Sequence, residues 1–552
     1  MLLLDIIGPI MVGPSSSHTA GAVRLGRLAR AILGEEPAQV RLTLHGSFAA
    51  TRRGHGTDLA LVAGLLGLDP ADERIRSALD LARERELAVE IACADLGEVH
   101  PNTVRFDLVS RGGDRRRSVW GSSVGAGRVE VFRIDDMELS LTGDYPALVV
   151  FHRDRPGIIA AITAVLATGA TNIAHMRVTR DGRGGRALTV LELDQPISPE
   201  VVAAVQHLGG VAQALAIPPL GDADNCPLPP AGDAARRPSA TASGPTPDVA
   251  AEESGRRGFT SLASLVEEAE RRSLPLSQVA LELDALGQGV TPESIRGAMR
   301  ERWTVMKRAA QEGLERAPRS RSGLVGGDGR RMEQARTGGH LLAGEVMDVA
   351  MAAALGVAEV NAAMGVIVAA PTAGSCGVLP GVLLAVAGQR RARDDEPEEE
   401  AVVRGLLTAG AVGAVIASRA TLAGAAGGCQ AECGAAAAMA AAAAVELAGG
   451  PPSACAHAAA FALKGLMGLV CDPVGGLVEV PCVKRNAMAA AVALAAADLA
   501  LAGVRSVIPP DEVIAALAEV GRCLPTSLRE TAQGGLAVTP TGRSCQAAVC
   551  GL

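Results

Sequence analysis

The chain has 552 residues, is 48% hydrophobic but only 2% aromatic, and has a formal net charge of -8. That length exceeds what one core can serve and predicts about three or four domains, with cores built from Ala, Val, Leu and Gly. Lys and Arg form no stripe interleaved with aromatics, so nucleic acid is excluded from the expected partners. Eleven cysteines, an odd number scattered through Ala-rich segments, predict reduced thiols in a cytoplasmic protein. The first residues include an acid and no basic run, so no signal peptide is expected.

Residues 1–143 combine a helical segment after Ser17 with alternating strands such as 40–44, 104–108 and 129–134, the pattern of an α+β domain. Its opening motif, Gly13-Pro14-Ser15-Ser16-Ser17-His18-Thr19, starts the helix. One serine suffices for an ordinary N-cap. Ser15, Ser16, Ser17 and Thr19 exceed that need and, with the free N–H groups of a helix start, offer a seat for a carboxylate. A second cluster, Gly54-His55-Gly56-Thr57-Asp58, sets an imidazole between glycines, which alone reads as a plain turn. Histidine is also the side chain best suited to proton transfer near neutral pH.

Residues 146–218 read strand, helix, strand, strand, helix, strand, the ferredoxin-like βαββαβ order. Asp154, Arg155, Pro156 and Gly157 end the first strand, and Asn172 begins the next. This segment resembles the ACT domain, which implies a regulatory fold that binds amino acids at the strand–helix turn, here Asp154, Pro156, Gly157 and Asn172, and pairs with a second copy. The plain alternative is a dimerisation module. Pro, Ala, Ser and Gly then dominate 221–257, read as a flexible linker.

From 258 to 540 helical patterns prevail, including 266–272, 294–313, 342–364, 402–422 and the nearly all-alanine 436–447, expected as a buried helix beside a cofactor. Residues 366–388 lack charge, yet Pro371, Pro380 and the polar run from Thr372 predict a buried helix–loop–helix rather than a membrane span. Residues 541–552 are read as a tail. Glycine and hydroxyl residues recur at 321–329 and 371–375, but neither follows a strand in a phosphate-binding pattern.

Three cysteines stand apart by their surroundings. Cys429 follows Gly427-Gly428, while Cys471 and Cys482 bracket a loop with Asp472-Pro473-Val474-Gly475-Gly476 and Val480-Pro481, which breaks any helix. Glycine permits close approach to an inorganic group and proline aims a thiol from a turn. Three thiolates without a fourth point to an iron–sulfur cluster with one open iron, a Lewis acid. Cysteine as a small core hydrophobe is the plain alternative, and zinc would call for a short-spaced pair and a fourth ligand. Cys376, Cys433 and Cys455 are expected as packing residues. Lys484 and Arg485 follow Cys482 directly and can hold a substrate carboxylate or simply polarise a helix end.

Taken together, Ile7 to Gly21, Gly54 to Asp58, Asn361-Ala362-Ala363-Met364-Gly365, Ala370 to Ser375 with Thr372, Gly424 to Glu432 and Cys471 to Asn486 resemble the bacterial iron–sulfur-dependent L-serine dehydratases. The resemblance covers nearly the whole chain outside the linker, with the family's β part, ACT domain and helical α part fused. It implies a [4Fe-4S] cluster on Cys429, Cys471 and Cys482, L-serine as substrate, pyruvate and ammonia as products, and a role in amino-acid degradation and gluconeogenesis. A base, His55 in preference to His18, would take the Cα proton, and a homodimer without membrane attachment is expected. In another branch of the family a C-terminal cysteine occupies the open iron, whereas Cys550 here precedes two further residues. Rival readings are a related iron–sulfur hydro-lyase, a non-catalytic amino-acid sensor, and a pyridoxal-phosphate lyase. Lys307, Lys464 and Lys484, the chain's lysines, lack the setting that the last of these requires.

Overall fold

The computed structural model describes residues 2–125, 127–220, 259–390 and 397–550. The linker at 221–257 lies outside them. Two compact units form: Met1–Pro14 with Pro227–Leu552, and Ser15–Cys226. The first fourteen residues, including strand β1 (Ile10–Val12), thus pack with the helical part although the chain runs on directly into the other unit.

The Ser15–Cys226 unit holds two sheets. Strands β2 (Pro37–Leu44), β3 (Ala88–Cys93), β4 (Thr103–Ser110), β5 (Arg116–Gly125), β6 (Arg128–Ile134) and β7 (Met137–Leu141) lie in the order β3-β2-β4-β5-β6-β7. Only the β2–β3 pair is parallel. Alternation in β2 and β4 turns Val40, Leu42, Leu44, Val104, Phe106 and Leu108 inward, and the helix Gly21–Leu33 covers that face. Gly121 makes room for it, since a Cβ there would sit 2.7 Å from Leu25 Cδ2. The same helix meets the helix Thr57–Leu65 through glycines: a Cβ on Gly26 would fall 2.3 Å from the Leu61 carbonyl oxygen, and one on Gly64 2.1 Å from that of Val23. This close crossing brings together the two segments that carry His18 and His55.

Strands β8 (Ala147–Arg153), β9 (Ile173–Arg180), β10 (Arg186–Leu193) and β11 (Val211–Ile217) form an antiparallel sheet in the order β11-β8-β10-β9. Helices Ile158–Thr168 and Pro199–Gln206 cover one side through Ile158, Ile162, Leu166 and Val205. This is the expected βαββαβ fold. It is fastened within its unit by the Arg117 guanidinium, 4.2 Å over the Phe151 ring and 2.5 Å from Gln213 Oε1.

The other unit is mostly helical around Ala435–Leu447, every residue of which is buried. Alanine has the highest helix propensity, and a helix apolar on all sides belongs inside. Its small side chains let Glu398–Arg419, Pro452–Leu466, Cys482–Leu501 and Val378–Arg390 close in on it. Among the described residues Glu398–Arg419 is the one helix long and apolar enough to cross a membrane, and 83% of its apolar window is buried inside the protein. The uncharged stretch expected as helix–loop–helix is instead strand β12 (Val366–Val368), a turn at Ala373–Ser375 and the helix Val378–Arg390. Its first part becomes a strand because β1 supplies a partner: Ile10, Met11 and Val12 pair antiparallel with Val368, Ile367 and Val366. Leu3, Ile6 and Ile7 are fully buried beside it, and a Cβ on Gly413 would lie 2.4 Å from Ile6 Cγ2. Residues Pro540–Cys550, expected as a tail, form a helix against the cysteine loop, where a Cβ on Gly475 would lie 3.9 Å from the Gln546 Cα.

Candidate active site

In the Ser15–Cys226 unit, Ser15 is extended and caps a wide π-type turn, Ser16–Ala20, that runs into the helix Gly21–Leu33. Its Oγ accepts the His18 backbone N–H at 3.2 Å and lies 3.3 Å from His18 Nδ1. His18 Nε2 is 2.9 Å from Ser47 Oγ, so both ring nitrogens have partners. The Thr19 hydroxyl donates to the His55 carbonyl at 3.1 Å, tying the two motifs together. His55 ends the helix Gly46–His55, and Gly56, at φ 64°, takes the left-handed turn that starts the next helix. The imidazoles of His18 and His55 meet at a tilt of 58° with centroids 4.7 Å apart, and the Phe48 ring meets His18 edge-on at 5.3 Å.

Among the described residues, neither ring nitrogen of His55 has a hydrogen-bond partner, although His55 is 2% exposed. Burial lowers its pKa to about 4. His18 is also held well below its ordinary value, by burial first and then by His55 and His100. Both rings are therefore neutral at pH 7, and His55 has free lone-pair capacity.

In the helical unit, Cys429 precedes a π-type turn, Gln430–Gly434, at the head of the alanine helix. Its Sγ is 3.6 Å from that of Cys433 and also receives a hydrogen bond from the Cys471 thiol. These two donors, with the positive charge of Arg485, hold Cys429 well below the usual thiol range. Cys471 is pushed up, first by its bond to Cys429 and then by burial. Cys482 is pushed up by burial and by the charges of Cys429 and Glu432. Of the three cysteines singled out from the sequence, Cys429 and Cys471 are hydrogen-bonded and Cys482 lies close enough to feel the charge of Cys429, while Cys433, expected as packing, also contacts Cys429. Cys376 and Cys455 lie apart in the core as neutral thiols.

Two half-buried carboxyls flank the sulfurs, and the sequence reading gave a role to neither. Glu432 hydrogen-bonds Thr372 and is driven well above the carboxylate range by burial, then by Glu530 and Cys429. Glu530 rises to about 7 by burial and the Cys429 charge, while its backbone N–H binds the Cys471 carbonyl at 2.8 Å. Glu432 stood in a quoted motif and was recoverable from its place three residues after Cys429. Glu530 sits at φ 63° in a segment without any telling residue pattern. Gly424 leaves a bare face beside them, since a Cβ there would be 2.6 Å from Glu432 Oε2 and 3.4 Å from Cys471 Sγ.

Lys484 and Arg485 are engaged within the protein rather than left open for a carboxylate. Arg485 donates to Asp472 Oδ1 and to the Val470 carbonyl, both at 2.8 Å, and Lys484 Nζ is 2.5 Å from Asp328 Oδ2. The glycine-rich 321–329 segment holds an internal anion: Glu359, fully buried, accepts the Asp328 N–H at 2.6 Å and that of Gly329 at 3.3 Å. In the βαββαβ domain, Asp154 accepts from Arg180 at 2.7 Å and the Gly184 N–H at 3.0 Å beside Gly157, at φ 84°, and Pro156. Asn172 donates to Asp194 at 2.6 Å. It follows the helix Ile158–Thr168 whereas Asp154 precedes it, so within one domain about 16 Å of helix separates them. Among the described residues, no group of three or more His, Cys, Asp or Glu is arranged to hold a single metal ion. The Cys550 side chain lies outside the description.

A thiol and carboxyl group in an alanine-rich helical unit, a histidine pair on an α/β unit, and a ferredoxin-like domain define a multidomain enzyme class. A model of the serine dehydratase alpha chain matches residues 248–537, one of the serine dehydratase beta chain matches 3–94, and one of the ACT domain matches 147–210. A Bacillus subtilis protein named probable L-serine dehydratase, alpha chain, is 48% identical over 293 residues, 53% of this chain and 96% of its own. The beta chain from the same organism is 41% identical over 215 residues, 39% of this chain and 97% of its own. An L-serine dehydratase of Streptomyces coelicolor is 30% identical over 543 residues, 96% of this chain and 97% of its own. The chain belongs to the serine dehydratase family.

Proposed function

We propose that this protein is an L-serine dehydratase, a lyase that converts L-serine to pyruvate and ammonia, and that it works with a [4Fe-4S] cluster held by Cys429, Cys471 and Cys482. The observation that carries this reading is that the Cys471 thiol hydrogen-bonds Cys429 and the half-buried Cys482 feels the same charge, so that thiols from distant parts of the chain lie near one another. The donor set suits the cofactor: soft sulfur ligands and Arg485 to balance their negative charge, with glycine at 424 letting the backbone come close to Glu432 and Cys471. When bound, an iron with an open position supplies Lewis acidity toward the β-hydroxyl of serine.

The rest of the chemistry falls to side chains. His55 is the base: neutral at pH 7 and without a hydrogen-bond partner, it can take the Cα proton, whereas His18 is held by Ser15 and Ser47. Ser15, Ser16 and Ser17 seat the carboxylate at the start of the π-type turn, while the Thr19 hydroxyl, given the same role from the sequence, is taken up by the His55 carbonyl. Arg485 serves the thiolates, and Lys484 anchors Asp328, so neither is assigned to substrate. Thr372, bonded to Glu432, lines the thiol side. Loss of water yields aminoacrylate, which tautomerises and hydrolyses to pyruvate and ammonia.

The test is anaerobic reconstitution with iron and sulfide followed by assay of pyruvate from L-serine. Folded protein with a full complement of iron and no pyruvate formation would overturn the reading.

A further inference from the structure

Two buried asparagines lie in motifs to which no role has yet been given. Asn361, 1% exposed, stands in the last turn of the helix Glu345–Ala362. Its Nδ2 donates to the Pro14 carbonyl at 3.2 Å and to the Ala373 carbonyl at 2.9 Å. Both partners are carbonyl oxygens, which only accept, so the amide orientation is fixed and both of its N–H bonds are used. The surroundings are built for this approach. A Cβ on Gly13 would lie 2.1 Å from Asn361 Oδ1 and 2.4 Å from its carbonyl oxygen, and the Gly13 N–H binds the Gly365 carbonyl at 2.9 Å.

The loop held by Asn361 is gripped from its other side by Asn486. That side chain donates to the Gly374 carbonyl at 2.8 Å and to the Cys482 carbonyl at 2.9 Å, and accepts the Gly377 N–H at 2.9 Å. Between the two amides the loop presents Thr372 to Glu432, and a Cβ on Gly374 would lie 3.5 Å from Glu432 Oε1. A continuous set of hydrogen bonds thus runs from Pro14 through Asn361, the 373–374 backbone and Asn486 to Cys482. Pro14 is the residue immediately before Ser15 in the chain.

We propose that Asn361 is a positioning residue for the reaction: its amide locks the carbonyl of Ala373 to that of Pro14 and so fixes the loop that presents Thr372 to Glu432 and reaches Cys482 through Asn486. The kinetic part of this inference rests on the dehydratase reading above. Displacement of a reacting group by about 1 Å is enough to cost about 100-fold in rate.

The discriminating variant is Asn361→Asp in the full-length reconstituted protein, because it keeps the shape and turns oxygen lone pairs toward both carbonyls. We expect kcat for L-serine to fall about 100-fold while KM stays within about threefold, the split of an interaction needed for the chemical step rather than for binding. Iron content is expected to match the parent protein, while the melting midpoint falls because a buried carboxyl faces two carbonyl oxygens. Amide hydrogen exchange in residues 10–16 should accelerate about tenfold, with no change in the ferredoxin-like domain. Unchanged exchange in 10–16, or accelerated exchange with full kcat, overturns the proposal, as does a kcat loss that merely tracks lost iron. Should the aspartate variant fail to fold, Asn361→Ser retains one donor in the same space and is expected to fall between the two in both readouts; parent-like kcat or parent-like exchange there overturns the proposal equally. A parent protein that makes no pyruvate defeats the dehydratase reading alone, and the exchange measurement still decides whether the clamp exists.

Discussion

A buried imidazole without a hydrogen-bond partner resists protonation, and His55 is such a group, with its pKa lowered to about 4. An unfolded chain takes up that proton near pH 6.5, so between about pH 6.5 and 4 the unfolded state binds more protons and folding loses about 3 kcal/mol. His18, lowered for the same first reason, acts in the same direction. Urea midpoints measured from pH 7 to 4 should therefore fall steadily with acid, and His55→Gln should flatten that slope. An equally steep slope in the variant would contradict the assignment. Among the sulfurs, Cys429→Ser, Cys471→Ser and Cys482→Ser should each lose bound iron and its visible absorbance. Cys455→Ser should keep the iron but lower the melting midpoint, because an unpartnered buried hydroxyl costs about 1–3 kcal/mol. Iron retained in Cys471→Ser would remove that residue from the ligand set.

At the scale of single elements, close helix contacts decide where the functional residues stand. Gly64→Ala would thrust a methyl to 2.1 Å from the Val23 carbonyl oxygen and 2.8 Å from the Gly26 Cα, both backbone atoms that cannot swing aside. Forcing the two helices apart should cost about 1–3 kcal/mol in denaturant titrations. It should also loosen the Thr19 to His55 bond, detectable as faster amide exchange in the helix Gly46–His55. The ferredoxin-like domain was readable from sequence because its strands are short apolar runs, such as Ala147–Arg153 and Arg186–Leu193, set between turn residues and two apolar helices. Strands β3 and β5 were not: β3 carries the exposed Glu90 and finds its partner β2 across several intervening helices, and β5 opens on the charged Arg116 and Arg117 with Gly121 in its middle. Cys429, Cys471 and Cys482, proposed here as ligands, stood out in the sequence by the glycine and proline around them. Cys433 was not, because it reaches Cys429 through the π-type turn, whose register no periodic reading anticipates. The pairing of Lys484 with Asp328 and of Arg485 with Asp472 was hidden for the same reason: partners chosen by the fold leave no local pattern.

For the whole molecule, the seating of the first fourteen residues among the helices matters most. Leu3, Ile6, Ile7, Met11 and Val12 are fully buried there, and Arg302 donates to the Ile7 carbonyl at 2.5 Å. At about 1.5–3 kcal/mol for each large apolar side chain, their joint removal rivals the 5–15 kcal/mol net stability of a typical fold. A chain lacking residues 2–12 is expected to lose cooperative thermal unfolding of the helical unit, and a peptide of residues 2–14 added in excess should restore it. Normal melting without the segment would show that the helices stand without it. Sequence reading assigned these residues to the α+β domain by proximity along the chain. Pairing of β1 with β12, more than three hundred residues on, overrode that order.

This long-range seating also imposes a schedule on synthesis. The Leu3 N–H binds Asp284 and the Ile7 carbonyl binds Arg302, separations of 281 and 295 residues. At ribosomal speeds of roughly 5–20 residues per second, the segment emerges on the order of tens of seconds before any of its helical neighbours. During that interval the aliphatic residues at 3–12 have no native partner and present themselves to chaperones and proteases. Nascent chains stalled before Val366 are thus expected to leave residues 3–12 open to cleavage, and chains extended past Arg419 to protect them.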